Sequence, residues 1–237
     1  PWLLTILALG AVSWAASDGR EVAKVLEFRT ILTYNFALTI IVTAPFAMLA
    51  TRLLSDAIYQ RDTAIAGPLL ARVLLFSQAA LLGCGIVLYG WLAALPPGVL
   101  AAALLNSQLL GGIWLAMAFL SAVRRFTAIT VAFGVGMLVA VVGTAVVIPH
   151  YESVSGLLSF NLGLSLLLGM LLGVIFQEYP LDKPAPLNLA RAARTQWMLL
   201  AGAFCYNLGL WVDKILMWFA PDATVLANGL RVHTVYD

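Results

Sequence analysis

The sequence predicts an all-α protein: a polytopic transmembrane helical bundle of about seven spans. Hydrophobic residues make up 62% of the chain, charged residues only 10%, and the mean hydropathy is +0.98. A soluble domain is about half apolar and about a quarter charged. Stretches 73–123, 126–151 and 153–177 contain no Asp, Glu, Lys or Arg. About 18 such residues are enough to cross a bilayer as a helix.

Prolines, glycines and flanking charges divide the apolar sequence into individual spans. Pro96, Pro97 and Gly98 interrupt the longest apolar stretch, because proline cannot continue a helix and glycine favours turns. An apolar run starts at Pro1 without the basic start of a signal peptide, so we expect the first span to be an incomplete helix. The predicted spans are 1–16, 31–54, 73–95, 99–123, 127–148, 153–177 and 195–219.

Three regions are predicted along the chain. Residues 1–177 form a first transmembrane bundle of six spans. Residues 178–194 contain three prolines and several charges and are predicted to be a cytoplasmic linker between bundles. Residues 195–237 are predicted to be the first span of a second bundle with its outer loop, truncated. Secondary transporters are often built from two such repeats.

The distribution of basic residues predicts the orientation of the spans. Short loops rich in Lys and Arg stay in the cytoplasm. The loops after spans two, four and six hold eight basic residues, and the loops after spans one, three, five and seven hold four. The loops after spans two, four and six are therefore predicted to be cytoplasmic, and the loops after spans one, three, five and seven are predicted to lie outside. The eight are Arg52, Arg61, Arg72, Arg124, Arg125, Lys183, Arg191 and Arg194; the four are Arg20, Lys24, Arg29 and Arg231.

Several classes of function are disfavoured by what the sequence contains. A net charge of +2, without a basic run, does not indicate a nucleic-acid partner. His150 and His233 are isolated, and we find no catalytic constellation and no glycine-rich phosphate loop. Cys84 and Cys205 each lie in an apolar run and are predicted to be buried hydrophobic residues rather than metal ligands. We therefore expect no enzyme, no cofactor and no metal site.

Motifs in spans two and seven resemble a known family. Segment 28–38 reads FRTILTYNFAL and is followed by TAP at 43–45 and ATRLLSD at 50–56. Segment 206–214 reads YNLGLWVDK, and GLRV follows at 229–232. Together they resemble the Pel exopolysaccharide exporter family (PelG-type), a branch of the multidrug/oligosaccharidyl-lipid/polysaccharide flippase superfamily.

This resemblance implies a multi-pass transporter in the bacterial inner membrane. It implies outward movement of a growing, amino-sugar-rich polysaccharide, in a complex with a cytoplasmic glycosyltransferase and other membrane subunits. One alternative is a lipid-linked oligosaccharide flippase or another exporter of the same superfamily. Spans one to six contain no Asp or Glu between their ends, which argues against a cation-coupled antiporter. An alternative of another class is a non-transporting membrane anchor of a polysaccharide synthase.

Polar residues inside span two are candidates for the substrate pathway. Asn35, Thr39 and Thr43 are four residues apart and share one helix face. They either line a translocation path or make hydrogen bonds between helices. Arg52, at the inner end of this span, either binds an anionic group or anchors the helix at the interface.

Span seven supplies the charged candidates, Asp213 and Lys214. Lys214 is long enough to reach the interface, whereas Asp213 is not. Asn207, Trp211 and Lys214 share a helix face, which we predict to meet a cavity between bundles. Asp213 is predicted to point to another helix or a basic partner. The resemblance suggests that it could also attract a cationic polymer.

Other features of the spans indicate packing rather than a site. Small residues at four-residue spacing allow helices to approach closely, which predicts contacts at Ser165, Gly169 and Gly173, and at Gly136 and Ala140. Tryptophans near the span ends are predicted to form interfacial belts; they are Trp2, Trp91, Trp197 and Trp218.

The orientation can be tested with topology reporters. Fusions after Arg125 and after Arg191 should report a cytoplasmic location, because basic loops are retained there. Fusions after Gly98 and after Glu152 should report the exterior. The opposite result at two of these four sites would overturn the predicted orientation.

Overall fold

The computed structural model describes residues 19–61, 63–148, 150, 153–179, 181, 188–226 and 229–233. Within these ranges the chain forms seven α-helices, and six helical segments are long and apolar enough to cross a membrane. They correspond to predicted spans two to seven, which confirms the all-α class. The predicted first span, 1–16, lies outside the described residues. The helices are α1 (Gly19–Tyr59), α2 (Ala66–Gly85), α3 (Pro97–Ala122), α4 (Phe126–Val147), α5 (Ser153–Glu178), α6 (Leu189–Thr195) and α7 (Trp197–Trp218).

Helices α1 and α3 form the centre of the bundle. Helix α1 packs against α2, α3, α5 and α7, and α3 packs against α1, α2 and α5. In the most apolar window of α3, 61% of the residues are buried, the largest share of any span described. None of the corresponding window of α7 is buried, and α7 packs mainly against α1. Helix α7 therefore lies at the side of the bundle, and its assignment to a second bundle stays a prediction.

Two helices differ in form from a regular α-helical span. Helix α1 is 41 residues long and continues through Pro45. At about 1.5 Å per residue it is much longer than the hydrocarbon core of a bilayer. Helix α2 passes into a seven-residue π-helical segment, Ile86–Leu92. Wider turns of this kind occur mostly as short bulges, frequently at functional sites. The segment places Tyr89 entirely inside the bundle.

Small residues bring α4 and α5 into close contact. A Cβ atom on Gly163 would collide with the backbone of Ala140, and one on Gly136 would lie 2.5 Å from the Cβ of Leu167. The packing role predicted for Gly136 and Ala140 is therefore confirmed.

The packing stripe predicted along α5 was wrong. Among the residues that the structure describes, nothing lies within 4 Å of a Cβ added to Gly169 or Gly173. The Ser165 hydroxyl donates to the carbonyl of Asn161 on its own helix. The face of α5 that meets α4 is the one carrying Gly156 and Gly163. The spacing of small residues shows that a helix has a smooth face. It does not show which smooth face packs against a neighbouring helix.

The loop between α3 and α4 is joined to the C-terminal end of α5 by an ion pair. The guanidinium of Arg125 donates to both carboxylate oxygens of Glu178, at 3.1 and 2.7 Å. The hydrogen bond to Glu178 raises the pKa of Arg125. Burial raises the pKa of the neighbouring Tyr179, whose ring packs edge-on against Phe119. This pair lies where the chain leaves α5.

The sequence did not predict two small elements. Helix α6 lies inside the predicted linker, where the Asn188 side chain accepts a hydrogen bond from the backbone N–H of Arg191. After α7, strands β1 (Thr224–Val225) and β2 (Arg231–Val232) pair antiparallel and form a hairpin. Asn188 is a typical N-cap and could have indicated α6. A strand of two residues is too short to show the alternation of apolar and polar residues from which strands are predicted.

The surface of the bundle that faces away from its core is apolar, as expected for a surface facing lipid. Large exposed side chains include Leu75, Leu138 and Leu162. Cys84 and Cys205 are also exposed free thiols on this surface, so the prediction that they are buried was wrong. In a bilayer, an apolar run does not distinguish a core position from a lipid-facing one.

The close contact between α4 and α5 predicts a position-specific effect of adding one methyl group. Gly163→Ala should lower the midpoint of thermal unfolding in detergent, because overpacking costs about 1–3 kcal/mol. Gly169→Ala is the matched control. It adds the same group to the same helix in open space, and should leave stability unchanged or slightly raised. Equal effects of the two substitutions would contradict the observed packing.

Candidate functional site

Asn35 is the centre of a buried hydrogen-bond network that joins four elements. Its side-chain nitrogen donates to the side-chain oxygen of Asn106, at 2.8 Å, and to the carbonyl of Ala103, at 3.1 Å. The Tyr89 hydroxyl donates to the Asn35 side-chain oxygen, at 2.7 Å. Asn106 then donates to Asn161, at 2.6 Å. The network connects α1, the π-helical segment, α3 and α5.

Every member of this network is enclosed by protein. The exposed fractions of Tyr89, Asn35, Asn106 and Asn161 are 0%, 0%, 0% and 1%. The nitrogen of Asn161 is satisfied by the carbonyl of Ala102, at 3.0 Å. Of the two alternatives for Asn35, the geometry matches hydrogen bonding between helices, and its assignment to a path stays a prediction. The amides fix how α1, α3 and α5 pack in the half predicted to face outward.

Thr39 and Thr43 continue from Asn35 towards the predicted inner side. Both hydroxyls donate to the carbonyl four residues earlier, at 2.7 Å, so their donors are used within α1. The Thr39 hydroxyl also accepts a hydrogen bond from the indole N–H of Trp114 on α3, at 3.2 Å. Thr39 therefore orients the Trp114 ring. Thr43 reaches a cavity.

This cavity lies between α1, α3 and α7 and has a volume of about 590 Å³. Small-molecule sites commonly have volumes in this range, with mostly apolar walls and a few polar groups. No charged side chain is among the described residues that line it. The lining residues are Ile40, Thr43, Ala44, Ala47, Met48, Thr51, Trp114, Ala118, Met198, Leu199, Gly202, Ala203, Tyr206 and Asn207.

Two predicted site residues from distant parts of the sequence meet in this cavity. Thr43 lines it from α1 and Asn207 from α7. The Asn207 side chain donates to the carbonyl of Ala203, at 2.9 Å, which leaves its oxygen to face the cavity or a neighbour. The cavity lies along the second half of α1 and the first half of α7, the half that the basic loops predict to be cytoplasmic.

The remaining predicted residues of α7 are arranged on different sides of the helix. Asn207, Trp211 and Lys214 are all partly buried, and Trp211 packs against the hydrophobic core. Asp213 is exposed, and its carboxylate accepts the backbone N–H of Lys214, at 2.8 Å. The structure therefore places Asn207 in the cavity and the Asp213 carboxylate away from it.

Arg52 lies beyond the cavity, near the inner end of α1. Its guanidinium is 3.5 Å from the carboxylate of Asp56, one turn further along the helix. Both side chains are about half exposed, at 52% and 43%, so this pair contributes little stability. The position suits either alternative predicted for Arg52.

At the end of the α1–α7 contact that lies away from the cavity, aromatic side chains close the space between the two helices. The rings of Tyr34 and Trp218 are stacked, with centroids 3.9 Å apart and planes 11° from parallel. The Tyr34 hydroxyl donates to the carbonyl of Arg231 in the hairpin, at 3.0 Å. Trp218 is only 5% exposed, so the prediction that it belongs to an interfacial belt was wrong. Trp91 and Trp197 are exposed near span ends, as predicted.

Sequence reasoning missed several residues of the site. Tyr89, Trp114, Asn161 and Tyr206 were not singled out, although each is an aromatic or amide side chain within an apolar span. An amide in a span needs a partner, so Asn161 could have been paired with Asn106. Trp114 could not have been assigned to the site from the sequence, because residue spacing does not identify a partner for a tryptophan in a membrane helix. No group of three potential metal ligands occurs in the part of the chain that the structure describes.

The family model described as "PelG: Putative exopolysaccharide Exporter (EPS-E)" matches residues 1–237. No curated protein and no solved structure matches the chain.

The amide network predicts a difference between two asparagines. Asn106→Ala should lower the free energy of unfolding by about 1–3 kcal/mol or more, because it leaves buried groups of Asn35 and Asn161 without their partner. Asn207→Ala is the control, since the Asn207 amide bonds within its own helix and should have a smaller effect. Thermal unfolding in detergent measures both. A smaller loss for Asn106→Ala than for Asn207→Ala would contradict a structural role of the network.

Proposed function

Because the chain belongs to the PelG family of exopolysaccharide exporters, we propose that it moves a polysaccharide outward across the bacterial inner membrane. The cavity between α1, α3 and α7 is the proposed entrance of the path. The observation that carries this proposal is that Thr43 and Asn207, 164 positions apart in the sequence, line the same cavity. Both come from the two segments with the strongest family motifs.

The chemistry of the cavity suits a sugar polymer that passes through without binding tightly. Sugar rings have apolar faces and polar edges, and the aromatic residues Trp114 and Tyr206 offer surfaces of the same kind. Thr43 and Asn207 add a few polar atoms. Since the described lining carries no charge, contacts would be numerous and individually weak, which permits sliding rather than tight binding.

The other predicted residues take different roles in this proposal. Thr39 acts through Trp114, which it orients. Asn35 holds the helices that form the path. Arg52 lies at the inner end, where an anionic group or a lipid headgroup could be met. Asp213 and Lys214 lie outside the cavity, and Asp213→Asn would show, by its effect on export, whether the carboxylate takes part.

The proposed partners follow from the family resemblance. A cytoplasmic glycosyltransferase would deliver the growing polymer to the inner side, and other membrane subunits would complete the secretion complex. The cavity lies in the half predicted to be cytoplasmic, which suits delivery from that side. A lipid-linked oligosaccharide flippase would use the same cavity for the sugar part of its substrate, and a synthase anchor would not need the cavity at all.

Two glycines on α7 allow the path to be blocked without disturbing the fold. Neither Gly202 nor Gly209 has any atom within 4 Å of an added Cβ, but only Gly202 lines the cavity. Gly202→Trp should abolish polysaccharide export at an unchanged membrane level of the protein, because the indole fills the entrance. Secreted polymer is quantified from cells carrying the otherwise intact secretion genes.

Gly209→Trp is the matched control and should export normally. Normal export by Gly202→Trp would contradict the proposed path and favour the anchor alternative. Loss of membrane protein in Gly202→Trp alone would contradict the open space observed at this position.

A further inference from the structure

We infer that the Tyr34–Trp218 stack, tied to the hairpin by Arg231, is a gate that closes the outer end of the path. The inference rests on the proposed function, because it takes the cavity between α1 and α7 as the path. On the cavity side these helices are separated by about 590 Å³ of space. At the hairpin side they are in direct ring-to-ring contact.

The stack lies beside one edge of the cavity. Tyr34 and Met48, which lines the cavity, are fourteen residues apart and share a side of α1, whereas Thr43, nine residues from Tyr34, lies on the opposite side. Trp218 follows Asn207 on α7 through Trp211, with spacings of four and seven. A substrate that leaves the cavity along the edge formed by Met48 and Asn207 therefore meets the stack.

The hairpin holds the stack from the outside. Its residues Leu230 and Val232 are each 2% exposed, so they are inserted into the protein rather than lying on it. The Arg231 carbonyl accepts the Tyr34 hydroxyl, and the Arg231 guanidinium lies 5.3 Å from the centre of the Phe219 ring.

A glycine allows the hairpin to approach the end of the π-helical segment. Gly229 has a φ of +80°, a conformation that strongly favours glycine. A Cβ there would lie 2.6 Å from the carbonyl oxygen of Ala93. The closed hairpin therefore touches both α1 and the end of the π-helical segment, which the stack alone would not connect.

The closing interactions are of a kind that can be broken reversibly. Among the described residues, the closing contacts include a ring stack, a neutral hydrogen bond and a cation–π contact, which are individually weak. The gate is thus held by the movable contact between α1 and α7 rather than by the amide network within the bundle.

Access of a thiol reagent to the cavity tests the gate without requiring export. In a Cys84→Ser/Cys205→Ser background of the full chain, Ala44→Cys places one thiol in the cavity. Labelling by a membrane-impermeant maleimide is measured in vesicles of both orientations. We expect rapid labelling from the cavity side and slow labelling from the hairpin side.

Removing either ring should open the hairpin side. Tyr34→Ala and Trp218→Ala should each raise labelling from that side by about tenfold, since the rate follows the fraction of open molecules, with the cavity-side rate unchanged. Tyr34→Phe keeps the ring and loses the bond to Arg231, so it should give a smaller rise. Tyr59→Ala removes an exposed tyrosine at the other end of α1 and should change nothing.

Three results would overturn the gate. They are equal labelling of the parent from both sides, unchanged hairpin-side labelling in both alanine variants, and a parallel rise on both sides, which would mean that the stack maintains the fold. The outcome is distinguishable from that of the exporter proposal. If Gly202→Trp exports normally but labelling behaves as expected, the stack closes the cavity but the cavity is not the substrate path.

Discussion

Satisfaction of buried amides is the constraint on which this bundle depends. In hydrocarbon, water cannot compensate an unpaired polar group, so each such group needs a partner inside the protein. Asn35, Asn106 and Asn161 meet this need with one another, with Tyr89 and with two backbone carbonyls of α3. Apolar contacts between helices have many nearly equivalent arrangements in lipid, whereas this set of bonds has one. It therefore fixes the rotation of α1, α3 and α5 about their axes.

The network also explains an asymmetry between the two halves of the protein. In the half predicted to face outward, amides, the π-helical segment and the hairpin fill the interior. In the other half, the polar residues of α1 that line the cavity are Thr43 and Thr51, whose hydroxyls bond back to their own helix. Such groups need no partner helix, so α7 can stand away from α1 there without leaving a donor unsatisfied. The cavity lies where the polar groups of α1 need no hydrogen-bond partner on α7.

The sequence predicted the spans well because charge-free apolar runs report directly on the bilayer. It located Thr43 and Asn207 because polar side chains within such runs are few. It could not show that Asn35 is satisfied within the bundle, since hydrogen-bond partners such as Tyr89 lie on helices whose rotation is not encoded locally. For the same reason the glycine face of α5 was misassigned and Trp218 was taken for an interfacial residue. Division into bundles and orientation in the membrane remain predictions.

The relative strengths of the contacts indicate which part of the protein moves. Separating α1 from α3 and α5 would leave several buried amide groups unpaired, at about 1–3 kcal/mol each and with no water to replace the lost bonds. Separating α1 from α7 at the outer end breaks an aromatic stack, of about 0.5–1.5 kcal/mol, a neutral hydrogen bond of similar strength and the apolar contacts of the hairpin, but it leaves the amide network intact. Helices α1 to α5, up to Glu178, should then behave as one rigid body, while α7 and the hairpin move against them.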